Sequence, residues 1–105
     1  MSDVDVEVTD EPDRGRYEAR VDGELAGFAE YQVRGGRRIF THTEVHDRYE
    51  GQGVGSRLAA GALDLARASG EPVVAKCPFI ASYIERHPEY GDLLARSPAE
   101  AAGGS

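Results

Sequence analysis

The hydrophobic period of this chain changes once, and the change falls on a glycine-rich turn, Glu50-Gly51-Gln52-Gly53-Val54-Gly55-Ser56. Before the turn, apolar and polar residues alternate; after it, apolar residues recur at helical spacing. Such a chain lays down an antiparallel meander first and helices second. It does not open with the strand, loop and helix of a dinucleotide-binding fold. With 105 residues it has room for one domain. The domain is read over residues 1–96, and the Ala- and Gly-rich stretch 97–105 is read as a disordered tail.

Val4, Val6 and Val8 alternate with acidic residues, as in a half-buried strand. Glu11-Pro12-Asp13-Arg14-Gly15 reads as a turn, and Tyr17, Ala19 and Val21 resume the alternation. Asp22-Gly23 is a hairpin signal, because tight hairpins need positive φ. A run from Leu25 to Val33 follows, then a turn at Arg34-Gly35-Gly36-Arg37, then a strand from Arg38 to Val45. Three or four antiparallel strands therefore precede any helix.

From Val54 to Ser69 the residues Val54, Leu58, Ala62, Leu65 and Ala66 mark one helical face, and Gly70 stops the helix. Pro72 to Lys76 reads as a short strand. Pro78 suits the first turn of a second helix, whose face carries Ile80, Tyr83, Ile84 and His87 and which Pro88 ends. The fold class is α+β: meander, glycine loop, helix, strand, helix.

Nineteen acidic against twelve basic residues give a net charge of −7. That argues against a nucleic-acid partner, whose phosphates an acidic surface repels. No apolar run approaches the roughly 20 residues a membrane span needs, and the start MSDVDVEV is polar. A cytoplasmic protein without a membrane partner is expected. A single cysteine, Cys77, excludes an internal disulfide and a multi-cysteine zinc site. His42 and His46 make a poor metal pair, being about 13 Å apart if both lie on a strand. No metal is expected.

The glycine loop is the stretch that carries chemistry. Alternate glycines at a helix start expose backbone N–H groups, and the helix dipole adds positive potential, a combination suited to phosphate. No Gly-Lys-Ser/Thr follows, so it is not a nucleotide-triphosphate loop of the Walker type. Taken alone, the glycines would also suit a flexible turn with close helix packing.

With its surroundings, the loop resembles the GCN5-related N-acetyltransferase superfamily, whose signature is Gln/Arg-x-x-Gly-x-Gly/Ala at the start of a central helix. More closely, the chain resembles a subgroup of very short members. It carries His42-Thr43-Glu44-Val45, the loop Gly51 to Gly55, and Cys77-Pro78-Phe79 through Tyr83 to His87-Pro88-Glu89-Tyr90. The likeness covers roughly residues 20 to 92. Matching the glycine pair to Gly53 and Gly55 puts Glu50 where the family has Gln or Arg. The other register starts at Arg48 and uses Gly51 and Gly53; we take the first.

The resemblance implies a compact acetyltransferase-like fold that moves an acetyl group from acetyl-CoA to a small-molecule or protein amine. The strand at Phe40 to Val45 would hold the pantetheine arm and splay from the strand at Val73 to Lys76. The implied cofactor-binding residues are Val45, Gly51, Gln52, Gly53, Val54, Gly55, Ser56, Cys77, Phe79 and Tyr83, with Arg48 or Arg57 supplying positive charge. Transfer needs a base for the ammonium and an acid for the departing thiolate. Cys77, His42 and Glu44 are the catalytic candidates: Cys77 either to accept the acetyl group as a covalent intermediate or to protonate the leaving sulfur, and His42 or Glu44 as the base. Cys77 follows a strand, precedes a helix and adjoins Lys76, the surroundings of reactive cysteines; it also suits a buried small hydrophobe. His42 and Glu44 lie two apart on a strand and share a face. Tyr83 falls one position before the place, Ile84, where many acetyltransferases carry an acid tyrosine, so packing suits it better. A monomer or weak dimer is expected. A non-catalytic CoA-binding or interaction module is the alternative.

Overall fold

The computed structural model describes residues 5–95. Val4 and the stretch 97–105 lie outside them. Strands β1 (Val6–Glu11), β2 (Arg16–Val21), β3 (Glu24–Arg34) and β4 (Arg37–Val45) form the meander, followed by α1 (Val54–Ser69), β5 (Val73–Ala75) and α2 (Pro78–Arg86). The sheet order is β1-β2-β3-β4-β5, antiparallel through β4 and parallel between β4 and β5. The parallel step arises because β4 and β5 are joined through α1 instead of through a hairpin. The result is a mixed five-stranded α+β fold, as the change of period implied.

The turns form where the sequence permits positive φ. Asp22 and Gly23, at φ 52° and 81°, make the β2–β3 hairpin in the geometry that matches strand twist. One register shift lies between Ala19 and Arg20 on the β2–β3 pair and another between Glu30 and Tyr31 on the β3–β4 pair. Such bulges sharpen the local twist.

Helix α1 covers one sheet face. Its buried residues are Val54, Leu58, Ala59, Ala62, Leu63 and Ala66. Leu65, assigned to the inner face by spacing, lies at the edge of the core, and Leu63 takes the buried place. The helix buries two adjacent i, i+4 rows, one through residues 54, 58, 62 and 66 and one through 59 and 63. Gly61 brings α1 down onto β1: a Cβ there would lie 2.7 Å from the Val8 side chain. Beneath α1 the rings of Tyr17, Tyr31 and Phe40 cluster, with Tyr17 and Tyr31 centroids 4.8 Å apart.

The segment after α2 is more than a helix stop. Pro88–Leu93 forms 3-10 turns, and Leu94 bridges β5 in parallel at Val73. Tyr90 donates to Asp64 of α1 at 2.9 Å, while Arg67 of α1 donates to Asp92 at 2.7 Å and to the Glu89 carbonyl at 3.0 Å. This segment, the strap, is thus tied to α1 and to the free edge of β5.

Candidate active site

Strands β4 and β5 pair only from Arg38 to Phe40 against Val73 to Ala75. The Phe40 carbonyl then accepts from both the Lys76 and the Cys77 amides, each at 3.0 Å. Beyond this fork β4 runs on to Val45 while the chain from β5 turns into α2. Among the described residues, no strand lies beside the outer edge of β4 past Phe40. The two strands therefore part on the way to the glycine loop, as the resemblance implied.

At the open end of the gap lies a cleft of about 250 Å³, lined by Val45, Tyr49, Glu50, Gly51, Gly53, Val54, Gly55, Ser56 and Phe79. Gly53 is the N-cap of α1 in the left-handed conformation, at φ 80°, and no side chain caps the helix. Gly51 has φ 81°. The first helical bond runs from the Arg57 amide to the Gly53 carbonyl. The amides before it thus have no place in the helical ladder and are directed to the cleft end of α1. The first turn carries no acidic residue. This donor set fits a phosphate group, by dipole and by orphaned N–H groups. Glu50 is the one cleft residue that opposes it, and it is exposed.

Phe79 closes the side of the cleft. A Cβ on Gly55 would stand 3.0 Å from its ring and 3.6 Å from Val45. Gly55 thus holds α1, α2 and β4 at close quarters, and its lack of a side chain keeps the cleft open. Of the residues expected to bind cofactor, Val45, Gly51, Gly53, Val54, Gly55, Ser56 and Phe79 all line this cleft.

Gln52, Cys77 and Tyr83 do not line it. The Gln52 amide turns back to donate to the Arg48 carbonyl at 3.1 Å. Tyr83 stacks on His87 with centroids 4.0 Å apart and lies 6.0 Å from the Tyr90 ring. His87 Nδ1 donates to the Tyr83 carbonyl at 3.0 Å, locking the stack. Burial raises the Tyr83 hydroxyl above its ordinary pKa, with nearby Glu89 and Asp64 adding to it. Tyr83 thus packs from α2 against His87 and the Tyr90 ring of the strap.

Cys77 is the N-cap of α2 and is 3% exposed. Its thiol donates to Thr43 Oγ1 at 3.2 Å, spanning the gap between the parted strands. Thr43 was not singled out by sequence reasoning, although it stands within the His-Thr-Glu-Val run. His42 and Glu44 point to the opposite face of β4 from Thr43 and Val45. Their side chains are 57% and 54% exposed and meet through His42 Nε2 and Glu44 Oε1 at 3.2 Å. The structure brings these two together, and places them across β4 from the thiol.

Of the two cations proposed near the phosphate site, Arg48 pairs with Glu24 at 3.5 Å and lies over the Tyr49 ring. Arg57 sits exposed in the first turn of α1. Tyr49, missed in the sequence, is buried behind the loop and donates to Glu24 at 2.5 Å, a bond that raises its hydroxyl pKa. An aromatic residue two positions before the first glycine of the loop was the available signal. No cluster of metal-binding side chains occurs among the described residues, and none of their helices is long and apolar enough to cross a membrane.

Comparison with known proteins agrees with this geometry. The sequence model of the GCN5-related N-acetyl-transferase family matches residues 16–93. The solution structure of a GCN5-like candidate N-acetyltransferase from Staphylococcus aureus is similar in fold, with a TM-score of 0.63 at 23% identity, covering 92% of this chain and 93% of that one. The crystal structure of a ribosomal-protein-alanine N-acetyltransferase from Brucella melitensis biovar Abortus 2308 matches with a TM-score of 0.51 at 25% identity. That match covers 78% of this chain and 62% of that one. Among curated proteins, none matches this chain. The family match runs from β2 through the strap that follows α2, well over half the chain, so this protein belongs to the GCN5-related N-acetyltransferase family and is an acyltransferase of that type.

Proposed function

We propose that the protein transfers an acetyl group from acetyl-CoA to an amine, with the pyrophosphate held at the start of α1. The observation that carries this reading is the glycine-capped helix end opening onto the fork between β4 and β5. Amides of Gly53 to Ser56 would hold the phosphates, Val45 and Phe79 would flank the arm, and the unpaired edge of β4 would take its amide groups. Bound there, acetyl-CoA supplies a thioester whose carbonyl carbon an amine attacks.

The chain's own groups then move the protons. His42, oriented by Glu44, is the base that accepts a proton from the acceptor ammonium. Glu44 steadies the protonated ring. Cys77 holds its proton on Sγ against Thr43, at the fork, and gives it to the departing sulfur as the carbon–sulfur bond breaks. Thr43 is a positioning residue: its hydroxyl accepts from the thiol and can turn to donate to the thiolate left behind.

The test is transfer of labelled acetyl to an amine panel by the full chain and by Cys77→Ala. The reading expects acetyl-CoA binding to survive in the variant while turnover falls by about 10²-fold or more, the usual worth of a general acid. Full turnover in Cys77→Ala would remove Cys77 from the chemistry. Absence of acetyl-CoA binding by the parent would remove the whole reading.

A further inference from the structure

Lysine occurs once in this chain, at position 76, against eleven arginines. The difference is chemical as well as numerical. An arginine guanidinium stays protonated in proteins, whereas a lysine amine can give up a proton and become a nucleophile. Lys76 therefore carries the one side-chain primary amine of the sequence.

That residue stands at the fork. Its amide donates to the Phe40 carbonyl at 3.0 Å, where β4 and β5 part, and Cys77 follows it. Backbone register gives its face. Ile39 stands opposite Val74, and Phe40 opposite Ala75. Alternation then puts Lys76 on the face of Val74 and Ile39. On β3, Glu30 and Gln32 also share a face, and their partners on β4 are His42 and Ile39. Lys76 and the candidate base His42 thus share one face at the two sides of the gap. Cys77 and Thr43 meet across the gap from the other side.

The Lys76 side chain is also free to swing. It is exposed, while Cys77 beside it is buried. Arg14, Arg16 and Arg20 are committed to Glu18, Arg38 to Glu71 and Arg67 to Asp92. No carboxylate holds the Lys76 ammonium among the described residues. Its flexible four-carbon stem can carry the amine over the mouth of the gap.

We propose that Lys76 is a self-acetylation site, its Nζ taking the acetyl group from acetyl-CoA bound in the fork of the same chain. The inference rests on the transferase reading above and adds a covalent modification of the protein itself. His42 takes a proton from the ammonium, and Nζ attacks the thioester carbonyl carbon. The carbon–sulfur bond breaks as Cys77 gives its proton to the departing sulfur. His42 then loses its proton to solvent, and Cys77 regains one there. The products are acetyl-lysine, the free thiol of CoA and one released proton. Tethering favours the step, because an amine held on the same chain meets the thioester at an effective concentration on the order of millimolar.

The experiment incubates the full chain with acetyl-CoA alone and follows its intact mass. A proteolytic map separates Lys76 from the α-amino group, the other primary amine of the chain. One acetyl group is expected at Lys76, at a rate that saturates with acetyl-CoA and does not change with protein concentration. That rate should exceed the rate in the urea-unfolded chain by about 10²-fold or more, the usual worth of a positioned base. Lys76→Arg keeps the charge and is expected to gain no acetyl group there, while binding acetyl-CoA as the parent does by calorimetry. An unmodified Lys76 in a chain that binds acetyl-CoA would overturn the inference and leave the proposed function standing. So would a rate equal to that of the unfolded chain, or one that climbs with protein concentration. Failure to bind acetyl-CoA would overturn both.

Discussion

Gly53 and Gly55 stand two residues apart and do different work. Gly53 needs its positive φ, while a Cβ there would meet nothing within 4 Å. Gly53→Ala is therefore expected to cost about 1–2 kcal/mol by backbone strain alone, and to weaken acetyl-CoA binding because the cap geometry aims the amides. Gly55 is helical, and alanine there gains up to about 1 kcal/mol of helix propensity while pressing on Phe79. Gly55→Ala should leave stability nearly unchanged and reduce binding, a split that paired calorimetry and thermal unfolding would reveal. Glu50 is a third case. It places a carboxylate at a helix N-terminus meant for phosphate, so Glu50→Gln should relieve about 0.3–1 kcal/mol and tighten acetyl-CoA by the corresponding two- to fivefold. Unchanged affinity would mean that Glu50 turns away from the phosphates.

Between elements, β2 depends on Glu18 and its arginines. Burial by itself raises the Glu18 carboxyl, but hydrogen bonds from Arg16 and Arg20 and the charge of Arg14 outweigh it, and the net shift is downward. A carboxyl depressed in the folded state contributes stability that is present above its unfolded value and lost as pH falls through the folded one. Acid unfolding should accordingly begin below the ordinary 4.5, and Glu18→Ala should flatten that acid limb and cost about 1–3 kcal/mol at neutral pH. Retention of the parent's acid midpoint by Glu18→Ala would contradict this. Element order was legible in the sequence because it rests on local signals. Alternation gave the strands, Asp22-Gly23 the hairpin, Pro78 the start of α2, and the glycines the start of α1. The burial of Leu63 over Leu65, the Thr43–Cys77 contact and the Leu94 bridge were not legible. Each depends on which neighbour the fold brings up, not on the chain's own period. The cleft residues fell between these cases: consecutive loop residues were found together, and Tyr83, whose direction is set by stacking on His87, was not found in the cleft.

At the scale of the whole molecule, all five tyrosines are held above their ordinary hydroxyl pKa of 10.0. Burial is the leading cause for Tyr17, Tyr31, Tyr83 and Tyr90, and the bond to Glu24 for Tyr49. Tyr90, which also donates to Asp64, is pushed up to about 12. A hydroxyl raised in the folded state contributes stability that is present below its unfolded value and lost as pH rises toward the folded one. Tyrosinate absorbance should therefore lag behind that of free tyrosine at pH 10 and then appear together with unfolding as pH approaches 12. Gradual ionisation in a still-folded protein would contradict the packing of the core and the strap.

The most direct test of the central claim is to follow the backbone amide resonances of the full chain as acetyl-CoA is added. Binding at the glycine-capped helix predicts saturable shifts at Gly53, Val54, Gly55 and Ser56, with smaller ones along β4 to Val45 and at Phe79. Unmoved amides at millimolar acetyl-CoA, or shifts confined to surfaces away from the start of α1, would contradict the account.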